Sequence, residues 1–372
     1  MEQYIQEKQP LLRQLIRELC AIPAPSGQEQ RRAAYIKTWL EAQGAKDVYI
    51  DEVCNVVWPV GVTEDNEVTV FMAHTDTVFP DLEPMPFREE NGRYWCPGVT
   101  DDTAQLAVLL VSAMRYVNSK PKHGLLFVAN ACEEGLGNLK GSRAIVAQYG
   151  HRMRELVTID GTNLHEAVNR AVGSHRYRIT ARTQGGHSFG DFGNANAIHG
   201  LAKLITALYE QPLPADGGSK TTFNVGTITG GTSVNTIAQE AEMLYEYRSD
   251  SKLCLDAMER QFRQAVENLQ SCEVCLSVEK IGDRPCAGDV DQERQQELLN
   301  RVGAAIREVI GREPVFRSGS TDCNAALGAG IPAVCFGGCI GGGCHTREEY
   351  LELDSLEQGC RLVMMVLKDY YL

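Results

Sequence analysis

The chain has 372 residues, 43% of them hydrophobic and 23% charged, and carries a formal charge of −13 at pH 7. This length exceeds the usual single domain, and the acidic balance excludes nucleic acid and anionic membrane as partners, which carry the same sign. No apolar run reaches the length of a membrane span and the opening MEQYIQEKQP lacks the parts of a signal peptide, so a cytoplasmic location is expected, with the 13 cysteines reduced and many of them buried.

Pro10 is expected to open a helix, because Leu12, Leu15, Ile16 and Leu19 fall on one helical face. Ser26 and Glu29 have the spacing of a capping box for a second helix ending near Gly44. Short strands at 48–50 and 55–58 precede VTVFMAHTDTV (68–78), whose apolar and β-branched opening predicts a buried strand that stops at His74, Thr75 and Asp76. After a loop to about residue 98, Ala107, Leu110, Val111 and Met114 mark a helix face. GLLFVANA (124–131) is a second buried strand, ending in Cys132, Glu133 and Glu134, and LVTI (156–159) is another, ending at Asp160. Alternating strands and helices imply an α/β sheet with helices on its faces.

The pattern changes near residue 170. HRYRITART (175–183) alternates polar and apolar residues, as a half-exposed strand does. A Gly-rich turn follows, then a helix (194–209), strands (222–229, 239–248), a helix (252–268) and a strand (272–280). Helix and strand patterns resume near 291, with Asp354 and Glu357 placed to cap the last helix. We expect a discontinuous domain, 1–170 with 282–372, interrupted by a small α+β domain at 171–281.

Collected, the strand ends supply His74 and Asp76, Asp101 and Asp102, Glu133 and Glu134, Asp160, and His345 within GGGCHTREEY. In open α/β sheets ligands bind beyond the carboxyl ends of strands. Histidine and carboxylate together suit zinc, cobalt or manganese, and a metal supplies a nucleophilic water at neutral pH. Singly, each is an ordinary cap, a structural histidine or a solvated acid; five in series point to a metal site. EEGLGNLKG is spaced GxGxxxG and lacks the second half of a dinucleotide site, and Cys335, Cys339 and Cys344 miss the spacing of a zinc knot, so they are expected in the core.

In that order, HTD, TDD, EE, D and H, the chain resembles the M20 family of dinuclear zinc peptidases and amidohydrolases, which includes glutamate carboxypeptidase, tripeptidase T and related deacylases. The resemblance covers nearly the whole length. It implies a zinc-exopeptidase-like catalytic domain, a mixed sheet flanked by helices, with the insertion as a lid or dimerisation domain that allows a homodimer. It implies two Zn2+ per subunit, with Co2+ or Mn2+ as alternatives: His74 and Asp160 on one, Glu134 and His345 on the other, and Asp101 bridging. It makes Asp76 the residue that orients His74, Glu133 the general base, His187 of GGHS the residue that approaches the substrate carbonyl, and Asn235 and Arg248 the pair that holds a substrate carboxylate. Thr103 stands where the family often has lysine, and YEYR lacks the aspartate that commonly precedes the arginine. The implied reaction is amide hydrolysis in small peptides, with an N-acyl amino-acid deacylase as the alternative. A binding protein that has lost catalysis is disfavoured by the presence of Glu133 and all five ligand positions.

Overall fold

The computed structural model describes residues 1–371. The chain divides into two compact units, Met1–Ala171 together with the chain from Gly288 onward, and Val172–Ala287.

The first unit is built on an eight-stranded mixed sheet, in the order Tyr49–Ile50, Val56–Val60, Gly124–Asn130, Val68–His74, Met153–Ile159, Ala333–Phe336, Glu166–Ala171, Val315–Gly319. The four strands from Gly124–Asn130 to Ala333–Phe336 are parallel neighbours. Every residue of Val68–His74 and Gly124–Asn130 is buried, which is why both are continuous apolar runs rather than alternating ones. His74 lies opposite Asn130, and Ile159 opposite Phe336, so the ligand-bearing turns leave the sheet on one edge. Helix Gln105–Met114 is buried along its whole length, and Glu2–Cys20 and Ser355–Lys368 pack with it. The Phe71 and Phe127 rings stack at 5.7 Å, with Tyr370 edge-on to Phe71 at 5.1 Å. Each such buried side chain contributes roughly 1.5–3 kcal/mol.

The second unit carries a four-stranded antiparallel sheet, ordered Thr221–Gly230, Glu240–Ser249, Gly173–Arg182, Cys275–Arg284. Glu240–Ser249 buries alternate residues against helices Ala197–Tyr209 and Lys252–Leu269, around Tyr177, Tyr245, Tyr247 and Phe262. Residues 282–284 pair with 174–176, so the strand carries the second unit beyond the expected end at 281.

Three local expectations are corrected. The first helix starts at Glu2 and runs through Pro10, because Ile5 is buried and the Tyr4 hydroxyl donates to the Val111 carbonyl at 2.8 Å, anchoring the turns before the proline. Ser26 and Glu29 make no capping box: helix Gln30–Ala42 has no side-chain cap, and both side chains bond elsewhere. Asp354 does not cap the last helix through its side chain, and Glu357 pairs with Arg361 instead.

Candidate metal centre

The strand Val68–His74 ends by placing the His74 imidazole between acids. Its Nε2 lies 3.0 Å from Asp101 Oδ1, and the other Asp101 oxygen lies 3.1 Å from His345 Nε2. His345 Nε2 is also 3.1 Å from Glu134 Oε1. One carboxylate therefore faces two imidazoles, one on each oxygen. Donor atoms of His74, Asp101 and Glu134, and separately of His74, Asp102 and Asp160, fall within 4.8 Å of one another. The five expected ligands are thus gathered at one edge of the sheet, together with Asp102.

Each ligand is aimed by a defined local structure. Asp101 and Asp102 sit in the turn Val99–Ala104 with non-helical backbone angles, and a cis peptide joins them. His345 has φ +63°, the left-handed region, next to Gly343 at φ +71°. A Cβ on Gly343 would lie 2.7 Å from the Glu348 carbonyl oxygen, so glycine is required for this turn to close. Asp160 ends its strand with its N–H on the Phe336 carbonyl and its own carbonyl accepting the Cys335 thiol at 2.8 Å. Cys335 and Cys339 are core thiols, as expected, whereas Cys344 is only half-buried.

Asp76 faces both His74 and the Glu133–Glu134 pair. The His74 Nδ1 is 3.1 Å from the Asp76 backbone carbonyl and 3.5 Å from its carboxylate. The carboxylate accepts the backbone N–H of Glu133 and of Glu134, both at 2.9 Å, and the Ser26 hydroxyl at 2.6 Å. It therefore sets where the Glu133–Glu134 pair begins. Glu29 accepts the N–H of Gly27 at 2.7 Å and of Cys132 at 3.1 Å, which is where the expected capping side chain has gone. Thr103 is buried, and the nearby buried cation is Arg32, which donates to the carbonyls of Leu19, Ile22 and Thr75 and lies 3.5 Å from the Thr103 hydroxyl.

The electrostatics are those of an acid cluster short of positive charge. Burial opposes a charged His74, but Asp102, Asp101 and Asp76 outweigh it and hold its pKa well above the imidazole range. Hydrogen bonds to the Asp101 and Glu134 carboxylates push the His345 pKa up to about 10. Burial and the Asp101 charge raise Asp160 to about 7, and burial raises Asp102 well above the carboxylate range. Asp102 Oδ2 accepts the His74 N–H at 2.7 Å, while its buried Oδ1 has no hydrogen-bond partner among the described residues. Converging buried carboxylates, an orphaned oxygen and two imidazoles fit divalent cations.

Sequence reasoning missed Glu349 and Arg32. Glu349 follows Glu348 and reads as half of a solvated pair; it is buried, burial raises its pKa to about 7, and it accepts three backbone N–H groups of the Asp101 turn. No signal in the sequence separates it from its exposed neighbour.

The remaining candidates belong to the second unit. His187 pairs with Thr236 across a two-residue ladder, and the Ser188 N–H donates to the Asn235 carbonyl at 3.0 Å, so His187 and Asn235 are neighbours. Gly186 has φ +141°, and a Cβ there would lie 2.7 Å from Asp191, whose carboxylate accepts the His187 N–H. The N–H groups of Phe189 and Gly190 point at His187 Nδ1 (3.3 and 3.2 Å), which leaves the ring proton on Nε2. Arg248 is not with them. It pairs with Thr222, at the far end of the strand from Ala241 and Gly230, about 3.4 Å per residue along the sheet. Its guanidinium is held by Glu246 at 2.9 and 3.0 Å. Within one chain, then, Asn235 and Arg248 are parted by the length of the strand.

Such a carboxylate–histidine cluster at the carboxyl edge of a mixed α/β sheet is suited to metal-dependent hydrolysis. The chain belongs to Peptidase family M20/M25/M40, whose model matches residues 70–369. It is similar to succinyl-diaminopimelate desuccinylase of Corynebacterium glutamicum, 25% identical over 366 residues, covering 96% of this chain and 95% of that one. Its fold is shared by aminopeptidase PepT of Bacillus cereus (TM-score 0.75, 21% identity, 97% of this chain and 98% of that chain). A tripeptidase of Staphylococcus aureus has the same fold (TM-score 0.74, 21% identity, 98% of each chain). The protein is an M20-family hydrolase, and that family is metal-dependent, typically with two ions. No helix among the described residues is long and apolar enough to cross a membrane.

Proposed function

We propose that the protein is a dizinc exopeptidase that hydrolyses the amide bond of small di- and tripeptides. The observation that carries this reading is Asp101 set between His74 and His345, 3.0 and 3.1 Å away, with Glu134 on the same histidine and Glu133 next in the chain. His74, Asp160, Asp101, Glu134 and His345 would hold the two ions. Bound there, they would polarise the substrate carbonyl and lower the pKa of the attacking water to about 7. Glu133 is the one buried acid of the pair not assigned to a metal. It takes a proton from the attacking water as the oxygen adds to the carbonyl carbon, and returns it to the amine nitrogen as the C–N bond breaks. His187, with its proton on Nε2, donates to the developing oxyanion. Arg248 and Asn235 hold the free carboxylate of the substrate and so position the amide.

The separation of Asn235 from Arg248 supports a homodimer through the inserted unit, in which one copy brings Asn235 and the other Arg248 to each carboxylate. Asp160, the shorter of the two acids the family uses at this position, favours peptidase action. Similarity to a desuccinylase supports an N-acyl amino-acid deacylase as the second reading. A panel of di- and tripeptides against N-acyl amino acids, assayed with zinc, cobalt and manganese, decides between them; faster turnover of the acyl substrates would replace the first reading by the second. Arg248→Ala should lower kcat/KM for free-acid peptides by about 10–100-fold, the worth of a charged hydrogen bond, and leave C-terminal amides nearly unchanged. Mixing Arg248→Ala with Asn235→Ala subunits should restore about a quarter of the wild-type rate if copies exchange and share sites, and nothing if each chain acts alone.

A further inference from the structure

We propose that Glu349 is a positioning residue of the metal centre, holding the turn that carries Asp101 in ligand geometry and tying it to the segment that carries His345. The proposal rests on the ligand roles given above for these two residues. Glu349 is 1% exposed, and its carboxylate accepts from the backbone of one turn. Oε1 accepts the N–H of Thr100 at 2.7 Å and of Asp101 at 2.9 Å, and Oε2 accepts the N–H of Gly98 at 2.8 Å.

These three donors need an outside acceptor. They are among the first N–H groups at the start of the turn Val99–Ala104, which no preceding helical carbonyl reaches. A buried N–H left unpaired costs about 1–3 kcal/mol, and one carboxylate with four lone-pair positions answers three of them. The main chain repeats the tie: the Cys96 N–H donates to the Glu349 carbonyl at 3.1 Å, and the Thr100 hydroxyl to the Tyr350 carbonyl at 2.7 Å. Strand Tyr350–Glu352 then pairs with Arg93–Trp95, which leads into the same turn. One stretch of chain thus presents His345 and, four residues later, fixes the backbone of the carboxylate that His345 faces.

A glutamine at this position keeps the size of the side chain but turns an NH2 donor toward backbone N–H groups. Glu349→Gln should weaken Co2+ binding by about 10–100-fold, the usual cost of losing an outer-sphere partner, and alter the visible absorption of the bound cobalt. It should lower kcat with KM kept, because the turn touches the metal rather than the substrate. A folded Glu349→Gln protein with wild-type cobalt affinity and spectrum overturns the proposal. If that variant does not fold, the wild type answers instead. In metal-free protein the amides of Gly98, Thr100 and Asp101 should exchange with solvent as slowly as those of Tyr350–Glu352, and free exchange there overturns the clasp. Asp101→Asn separates the two readings: if it retains both cobalt equivalents, the ligand assignment fails while the slow exchange still stands.

Discussion

Both units set carboxylates beside histidine and answer the charge in opposite ways. In the second unit Glu259 Oε2 receives the hydroxyls of Tyr177 (2.6 Å) and Tyr247 (2.5 Å) and lies 2.7 Å from His175 Nδ1, while Oε1 accepts from Arg263 at 2.8 Å. Burial alone would raise the Glu259 pKa, but the two tyrosines, Arg263 and Lys280 hold it well below the usual carboxylate range. In the first unit Asp101, Asp102, Asp160 and Glu134 share two imidazoles, and Asp160 is pushed up to about 7. A half-buried acid whose neighbours supply every donor is structural; acids that crowd together with too few donors are built around a cation that arrives from outside.

The largest expected effect lies within the Glu133–Glu134 pair. Glu133→Gln should keep both metals and lose about 10²–10⁴ in kcat, since its amide takes no proton. Glu134→Gln should lower occupancy at one site. Metal analysis beside initial rates checks this, and equal loss of metal and rate in both variants would break the division of roles.

Removing the metal tests the comparison directly. With metal at 1,000 times its Kd, chelation should cost the first unit about 4 kcal/mol of stability and leave the second unit's tyrosine cluster undisturbed. Thermal melts followed by near-ultraviolet dichroism report both, and an unchanged melting temperature would show that the acids are already satisfied.

His187, the proposed oxyanion donor, sharpens the contrast from the other side. His187→Ala should lower kcat by about 10²–10³ with metal content unchanged, the cost of one oxyanion donor. Loss of metal in this variant would place it in another role.

The smallest effect is expected at Glu259. Its lowered folded pKa means that its contribution is complete above the unfolded value near about 4.3 and fades as pH falls below it. Glu259→Gln should cost about 1 kcal/mol at neutral pH, a figure reduced for the side chain's partial exposure, and flatten the acid limb of the stability curve. An acid limb identical to that of the wild type would assign the pH sensitivity to other carboxylates.

Much of this was legible in the sequence. The buried strands at 68–74 and 124–130 announce themselves as unbroken apolar runs, because a parallel strand covered on both faces admits nothing else. His74 and Glu134 stand where those runs stop and Asp160 follows Met153–Ile159, at strand ends where an α/β sheet presents its chemistry, whereas Asp101 sits in the turn before helix Gln105–Met114 and His345 in a loop. Local chain statistics also mark 175–183 as half-exposed, and the strand Gly173–Arg182 alternates accordingly.

Tertiary structure decided which polar side chains serve the site without touching a metal. Ser26 and Glu29 have the spacing of a helix cap, yet the Ser26 hydroxyl donates to the Asp76 carboxylate and Glu29 accepts the backbone N–H groups of Gly27 and Cys132. Glu349 looks like its exposed neighbour Glu348 until the Asp101 turn, some 250 residues earlier, delivers three N–H groups to it. Asn235 and Arg248 are close in sequence and parted by the length of a strand. Periodicity records which face of an element is covered, since burial repeats with the element's own geometry. Partners brought together across hundreds of residues leave no such period, and only the folded chain assigns them.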